Sequence, residues 1–179
     1  ELREKSETLE QQKEVINEQF NKIKEDLQIA ANVMDAMLPE TIFKNEICSL
    51  DFFFKPADEL AGDLYGMEAK EKRLLFWVCD VTGHGVASSM VAGVIREAMA
   101  NCRFEAIFSA KEPDPAAALK KVSNEVARSI KGQLFATMSL CVMDFETRVL
   151  TIANAAHPKP IHFRDKQWVK NSVGKIVNG

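Results

Sequence analysis

The feature that most constrains this chain is an apolar run that ends in an acidic, glycine-rich turn. The run Leu74–Cys79 (LLFWVC) consists of bulky residues, and the turn DVTGHG follows it at residues 80–85. An apolar run of this length bounded by turn residues predicts a buried β-strand. The aspartate at its end, Asp80, is therefore expected at a rigid edge of a sheet. A second aspartate, Asp63, lies beside glycine in the stretch AGDLY at residues 61–65.

Two carboxylates that meet at one sheet edge provide the hard oxygen ligands that Mg²⁺ and Mn²⁺ prefer. Asp63 and Asp80 are therefore candidate metal ligands. The alternative is that each aspartate only caps its own turn, because Asp next to Gly is a common turn pair. The sequence leaves both interpretations open until the two side chains are located in space.

Length, charge and cysteine usage bound the class of protein. The 179 residues, 46% of them hydrophobic, suffice for one sizeable core and an appendage. A net charge of -3 offers no basic footprint, so we expect no nucleic-acid partner. The four cysteines are far apart, which predicts buried thiols in a reducing compartment. With neither a signal-peptide pattern nor a long apolar span, we expect a cytoplasmic domain that meets a membrane only through an upstream segment, if at all.

The N-terminal region reads as one long helix. Residues 1–38 contain neither Gly nor Pro, and apolar residues recur every seven positions, with a second series four residues further on. Such steps of four and three are typical of a two-stranded coiled coil, and Pro39 ends the pattern. Residues 1–39 are therefore predicted to be a dimerising linker helix. An amphipathic helix packed on its own domain is the alternative. The predicted homodimer interface comprises Leu9, Ile16, Phe20, Ile23 and Leu27.

Residues 40–179 alternate between strand and helix patterns. Strands are predicted over 47–54, 65–69 and 74–79, and helices over 84–104 and 115–132, the second capped by Asp114. Strands over 136–145 and 149–154 and a hairpin over 160–169 follow. Short links between the strands favour antiparallel pairing. The predicted fold class is α+β, with antiparallel sheet layers and flanking helices.

Four short segments in this order support a family resemblance. They are AGDLY at 61–65, DVTGHG at 80–85, FATM at 135–138 and NAAHP at 154–158. Their order and spacing resemble the SpoIIE/RsbU-type serine phosphatases, bacterial members of the PP2C-like (PPM) superfamily, over roughly residues 28–179. The resemblance implies a PP2C-like fold and metal-dependent hydrolysis of phosphoserine or phosphothreonine, commonly on a STAS-domain (anti-anti-sigma-like) partner.

The resemblance also assigns roles to residues. It implies two ions, Mn²⁺ or Mg²⁺, bridged by Asp80, with the backbone carbonyl of Val81 as a further ligand. Asp63 binds metal directly or through water in this scheme, and both aspartates are catalytic. Family members carry further acidic ligands in a later Asp-Gly motif, which this sequence does not reach before Gly179. We therefore expect an incomplete phosphatase domain that is inactive or weakly active alone.

Two further expectations complete the sequence interpretation. His157 precedes a proline, and we expect it to be a turn residue that makes a structural hydrogen bond rather than a general acid. The alternative function belongs to another class: a non-catalytic, phosphatase-like module that binds a partner and dimerises. The Asp63/Asp80 pair favours the enzyme, and the missing later ligands favour the binding module.

Overall fold

The structure is a computed structural model that describes residues 1–102, 104–130, 134–165, 167–168 and 176–178. It divides into two compact units, Glu1–Met37 and Leu38–Gly179. Across the described residues, every helix is too short or too polar to cross a lipid bilayer.

The first unit is a single helix, α1 (Leu2–Ala36), capped at its C-terminal end by Met37. Its heptad seam is apolar yet open to solvent in the single chain: Leu9 is 69% exposed, Ile16 62%, Phe20 64% and Ile23 59%. A helix that exposes a regular apolar stripe over several turns has the surface that coiled coils bury.

Among the described residues, the second unit contains all the strands and three further helices. Its elements in chain order are β1 (Ile42–Lys44), β2 (Ser49–Asp51), β3 (Leu64–Lys70), β4 (Arg73–Val81), α2 (Val86–Asn101), α3 (Glu105–Ser109), α4 (Pro115–Ser129), β5 (Ala136–Asp144), β6 (Val149–Ala155), β7 (Phe163–Arg164), β8 (Gln167–Trp168) and β9 (Ile176–Asn178).

The central sheet has five strands in the order β3-β4-β5-β6-β9. The first four pair antiparallel, β3 with β4 and β5 with β6 as hairpins and β4 with β5 across the three helices, whereas β9 pairs parallel with β6. Alternate residues of β4, among them Leu75, Cys79 and Val81, are almost fully buried. Cys79 lines a cavity together with Ile95 of α2 and Leu119 of α4, so these two helices cover that face of the sheet. Asp80, between two buried neighbours, lies on the opposite face.

Several predicted boundaries are wrong. Of the predicted strand 47–54, only Ser49–Asp51 is a strand, β2, which pairs with the unpredicted β1, and residues 52–54 lie outside any strand. Phe52 and Phe54 instead pack their rings on Tyr65, at centroid distances of 4.4 and 5.8 Å. The apolar residues after β2 therefore pack against an aromatic ring instead of pairing with a neighbouring strand. Helix α3 and the parallel strand β9 were not predicted.

Other boundaries agree better with the sequence. The Asp114 cap is present, and its carboxylate accepts hydrogen bonds from the backbone N–H of Ala116 and Ala117 at 3.1 and 3.0 Å. Helix α4 ends at Ser129, earlier than predicted, and Gly132 lies outside the described residues. The last hairpin is limited to the two-residue strands β7 and β8, and Val169 also lies outside the described residues.

Candidate functional site

Asp63 and Asp80 meet at one end of the β3–β4 pair. Leu64 is the cross-strand partner of Cys79, so the residues next to them, Asp63 and Asp80, fall side by side in the same antiparallel register. Their carboxyl groups are close enough for the charge of Asp80 to act on Asp63, and both residues are exposed. The two sequence-predicted ligands are thus brought together by strand register, although they are separated by an entire hairpin.

The electrostatics of the pair are unfavourable without a cation. Partial burial raises the pKa of Asp63 above its usual value, and the neighbouring negative charge of Asp80 raises this pKa further. The charge of His157 acts in the opposite direction and lowers the pKa of Asp63. Two carboxylates that cannot both ionise freely are stabilised by any positive charge placed between them.

Gly62 lets the loop before Asp63 approach β4 closely. A Cβ atom at Gly62 would lie 3.1 Å from the carbonyl oxygen of Val81 and 3.1 Å from the Cβ of Ser88. Such distances are tighter than side chains normally tolerate, so glycine is the residue that fits. The third predicted ligand, the Val81 carbonyl, therefore lies against the loop that carries Asp63.

The turn after Asp80 is anchored on both sides. Gly83 and Gly85 have φ values of +88° and +79°, a region that favours glycine. The Gly85 carbonyl accepts hydrogen bonds from the side chains of Ser88 and Ser89 at 2.9 and 2.8 Å, which fixes the start of α2. Thr82 donates from its backbone N–H to the Phe135 carbonyl at 2.9 Å, which fixes the turn to the residue just before β5.

The sequence interpretation did not place Thr137 and His157 in this site. Thr137 is the direct cross-strand partner of Asp80, and its Oγ1 lies 2.8 Å from Nδ1 of His157. The structural hydrogen bond expected of His157 is present, but it brings the ring beside the aspartates. The signal was in the sequence, since both residues lie in the short segments that carry the resemblance. His84, by contrast, is 85% exposed and pairs with Asp58 at 3.1 Å.

The donor set suits a hard cation in type but is small in number. Asp63, Asp80 and the Val81 carbonyl are all oxygen donors, as Mg²⁺ and Mn²⁺ require. Over the part of the chain that the structure describes, no group of three or more His, Cys, Asp or Glu side chains is arranged to hold a metal ion. The pair is therefore a partial ligand set within these residues.

Comparison with known proteins shows the family of this chain. The sequence model of the family described as Stage II sporulation protein E (SpoIIE) matches residues 70–175. Phosphoserine phosphatase RsbU of Bacillus subtilis is 24% identical over 144 residues, which cover 80% of this chain and 41% of that protein. Phosphoserine phosphatase RsbP of the same organism is 32% identical over 69 residues, 38% of this chain and 17% of that protein. The chain thus spans less than half the length of these curated relatives.

Among solved structures, the SiaA-PP2C domain of Pseudomonas aeruginosa superposes with a TM-score of 0.60 at 27% identity, over 75% of this chain and 54% of that chain. This similarity confirms the predicted α+β architecture and identifies it as PP2C-like.

Proposed function

Because the chain belongs to the stage II sporulation protein E (SpoIIE) family, we propose that it forms part of a metal-dependent protein serine/threonine phosphatase. The observation that carries the proposal is the placement of Asp63 and Asp80 side by side at the end of the β3–β4 pair. Both curated relatives are named phosphoserine phosphatases. Two like charges at a sheet edge, forming no ion pair with a basic side chain among the described residues, are typical of a functional site.

The proposed cofactor is Mn²⁺ or Mg²⁺, with two ions in the complete domain. Asp80 would bridge them, the carbonyl of Val81 would add a backbone oxygen, and Asp63 would bind directly or through water. When bound, such ions supply a water of lowered pKa and offset negative charge on the phosphoryl oxygens. Binding would also relieve the repulsion that raises the pKa of Asp63.

The chain's own contribution is to hold these oxygens rigidly. Asp80 pairs with Thr137 of β5 and directly follows Cys79, which pairs with Leu64 of β3, so its side chain starts from a fixed backbone. Gly62 brings the Asp63 loop against Val81, and Gly85 joins the turn to α2. Preorganised ligands of this kind need no rearrangement when the reaction begins.

We further propose that the substrate is a phosphoserine protein of the STAS type and that the linker α1 regulates the site as a homodimer. The exposed seam of α1 supports the dimer. A route toward the aspartates exists within the second unit, because the Tyr65 hydroxyl donates to the Pro39 carbonyl at 3.3 Å. Tyr65 lies two residues from Asp63, so movement of the chain at Pro39 would reach the strand that follows this ligand.

The proposal is tested with the complete natural chain, a phosphoserine peptide and Mn²⁺. Asp80→Asn and Asp63→Asn should each lower kcat/KM by about 100-fold or more, because a group that organises transition-state charge is lost. The matched control is Asp51→Asn, an exposed aspartate of β2, which should retain wild-type activity. A metal chelator should abolish hydrolysis and added Mn²⁺ should restore it.

Equal activity in the wild type and Asp80→Asn would contradict the assignment. Absence of hydrolysis in the wild type, with a phosphoprotein still bound, would favour the non-catalytic binding module instead. The small ligand set of the described residues is the observation on which that second function rests.

A further inference from the structure

A hydrogen-bond network on one face of the sheet holds a histidine beside the aspartate pair. Asp80 and Thr137 are direct cross-strand partners, so their side chains share a face with Cβ atoms about 5 Å apart. Thr137 Oγ1 lies 2.8 Å from His157 Nδ1. The ring is also close enough to Asp63 for its charge to lower the pKa of that carboxyl group. His157 therefore belongs spatially to the candidate site.

Buried polar residues fix the backbone of His157. Its N–H donates to Oδ1 of Asn154 at 3.0 Å, and Nδ2 of Asn154 donates to Oγ of Ser139 at 2.8 Å. Asn154 and Ser139 are only 7% and 5% exposed. Burying a polar side chain costs free energy unless it is hydrogen-bonded. Here the hydrogen bonds run from Ser139 through Asn154 to the backbone of His157. Ala156, just before the histidine, has a φ of +54°, which an L-residue rarely adopts. The backbone is thus held in an unusual conformation at this point.

The second ring nitrogen, Nε2, is available to a ligand. The side chain is partly exposed, and in the described part of the chain only Nδ1 has a recorded hydrogen-bond partner. If the Thr137 hydroxyl donates to Nδ1, Nε2 carries the proton; in the charged ring Nε2 carries one as well. Both arrangements offer an N–H donor at Nε2, and the proposal requires one of them, because a neutral ring that donates from Nδ1 to the Thr137 hydroxyl has no proton at Nε2. Hydrogen bonding is the better interpretation than metal ligation, since the hard ions proposed for this site prefer oxygen ligands.

We propose that His157 is a substrate-binding residue whose Nε2–H donates a hydrogen bond to the phosphoryl group of a phosphate monoester, and that Thr137 is a positioning residue that orients the ring. This inference rests on the proposed phosphatase function. A phosphate dianion is repelled by Asp63 and Asp80, so a donor fixed beside them favours its approach. Hydrogen bonds from N–H groups to phosphate oxygens are charge-assisted and strong.

The test uses the complete natural chain with Mn²⁺, a phosphoserine peptide as substrate and inorganic phosphate as competitive inhibitor. His157→Asn keeps a polar atom near the position of Nδ1 but removes Nε2, whereas His157→Gln places an amide near Nε2. The Asn variant should lower kcat/KM and weaken phosphate inhibition by about 10- to 100-fold each, and the Gln variant should recover part of both. His162→Asn, a histidine outside the network, is the matched control and should match the wild type.

Thr137 is tested by two substitutions and one spectroscopic signature. Thr137→Val removes the hydroxyl and should reduce phosphate affinity, and Thr137→Ser should restore it. Nitrogen NMR of the His157 ring should show one fixed tautomer in the wild type and in Thr137→Ser, and a mixture in Thr137→Val. A merely structural threonine would leave the tautomer unchanged.

Two outcomes would overturn the inference: phosphate inhibition unchanged in His157→Asn, or a loss of Mn²⁺ affinity and melting temperature that explains the loss of activity. Calorimetry of phosphate binding in Mn²⁺ separates this failure from failure of the proposed function. A wild type that hydrolyses nothing, but binds phosphate more tightly than His157→Asn, would refute the phosphatase and keep the binding site. A wild type that binds phosphate no better than His157→Asn would refute the site.

Discussion

Arg73 and Asp144 form a buried ion pair at the end of the sheet opposite the aspartates. Arg73 Nε lies 2.8 Å from Asp144 Oδ2, and the two side chains are 7% and 9% exposed. The guanidinium also donates to the carbonyls of Ile107 and Ala110, which follow Arg73 by 34 and 37 residues in sequence. One side chain therefore joins the paired ends of β4 and β5 to the region of α3, and its charge is compensated by Asp144.

This pair gives a stability prediction. Asp144→Asn should lower the free energy of unfolding by about 3–5 kcal/mol near neutral pH, because the buried guanidinium loses its counter-charge. The matched control is Glu146→Gln, which breaks the exposed pair between Lys72 and Glu146 and should leave the free energy of unfolding nearly unchanged. Chemical denaturation of the three proteins provides the measurement.

The same pair gives the pH dependence. The backbone N–H of Thr147 and the Arg73 guanidinium hold the pKa of Asp144 at about 2, below the usual 3.8. As the pH falls, the unfolded chain therefore binds a proton at Asp144 before the folded chain does. The stabilisation by this carboxylate is present above pH 3.8 and is lost as the pH falls towards 2. The difference in the free energy of unfolding between the wild type and Asp144→Asn should shrink over that interval. A difference that stays constant down to pH 2 would show that the charge of Asp144 is not what stabilises the fold.

At the scale of elements, α1 carries a surface that a second helix would cover. Ile16 and Phe20 of its seam are 62% and 64% exposed. Ile16→Glu should shift the complete natural chain from dimer towards monomer, because a charge in the seam must be desolvated on association. Gln11→Glu, outside the predicted seam, is the matched control and should leave the dimer intact. Light scattering of the three proteins measures the effect, and an unchanged dimer in Ile16→Glu would count against the coiled coil.

Elements with a strong local signal were predictable. The run that became β4 is apolar and bounded by turns, and Asp114 with Pro115 marks the start of α4 through a hydrogen-bonded cap. The predicted strand 47–54 was wrong at Phe52, because its ring packs on Tyr65 and the residue lies outside any strand. The parallel strand β9 pairs with β6 across the β7–β8 hairpin, and no local pattern encodes such a distant partner.

The candidate site was predictable in part for the same reason. Asp63 and Asp80 are conspicuous because each stands beside glycine or at the end of an apolar run. Thr137 and His157 have no such local mark, and their position depends on the register between β4 and β5 and on a hydrogen bond across twenty residues. The register between two strands is set by many side chains together. The sequence alone therefore does not show that the residues of this network contact one another.

At the scale of the whole molecule, the buried ion pair and the candidate site lie at opposite ends of β4. One end of β4 begins with Arg73, whose charge is satisfied within the fold. The other end carries Asp80, whose charge raises the pKa of Asp63. The helices α2 and α4 cover one face, and Asp80 lies on the other. Like charges on a rigid support would suit the metal-dependent phosphatase proposed above.

The most direct test of the central claim is the affinity of the complete natural chain for Mn²⁺, measured by calorimetry in the wild type, Asp80→Asn and Asp51→Asn. The account predicts that Asp80→Asn binds Mn²⁺ at least about 10-fold more weakly, because it loses a charged ligand, while Asp51→Asn binds like the wild type. Identical Mn²⁺ affinity in the wild type and Asp80→Asn would contradict the assignment of the aspartate pair as a metal site.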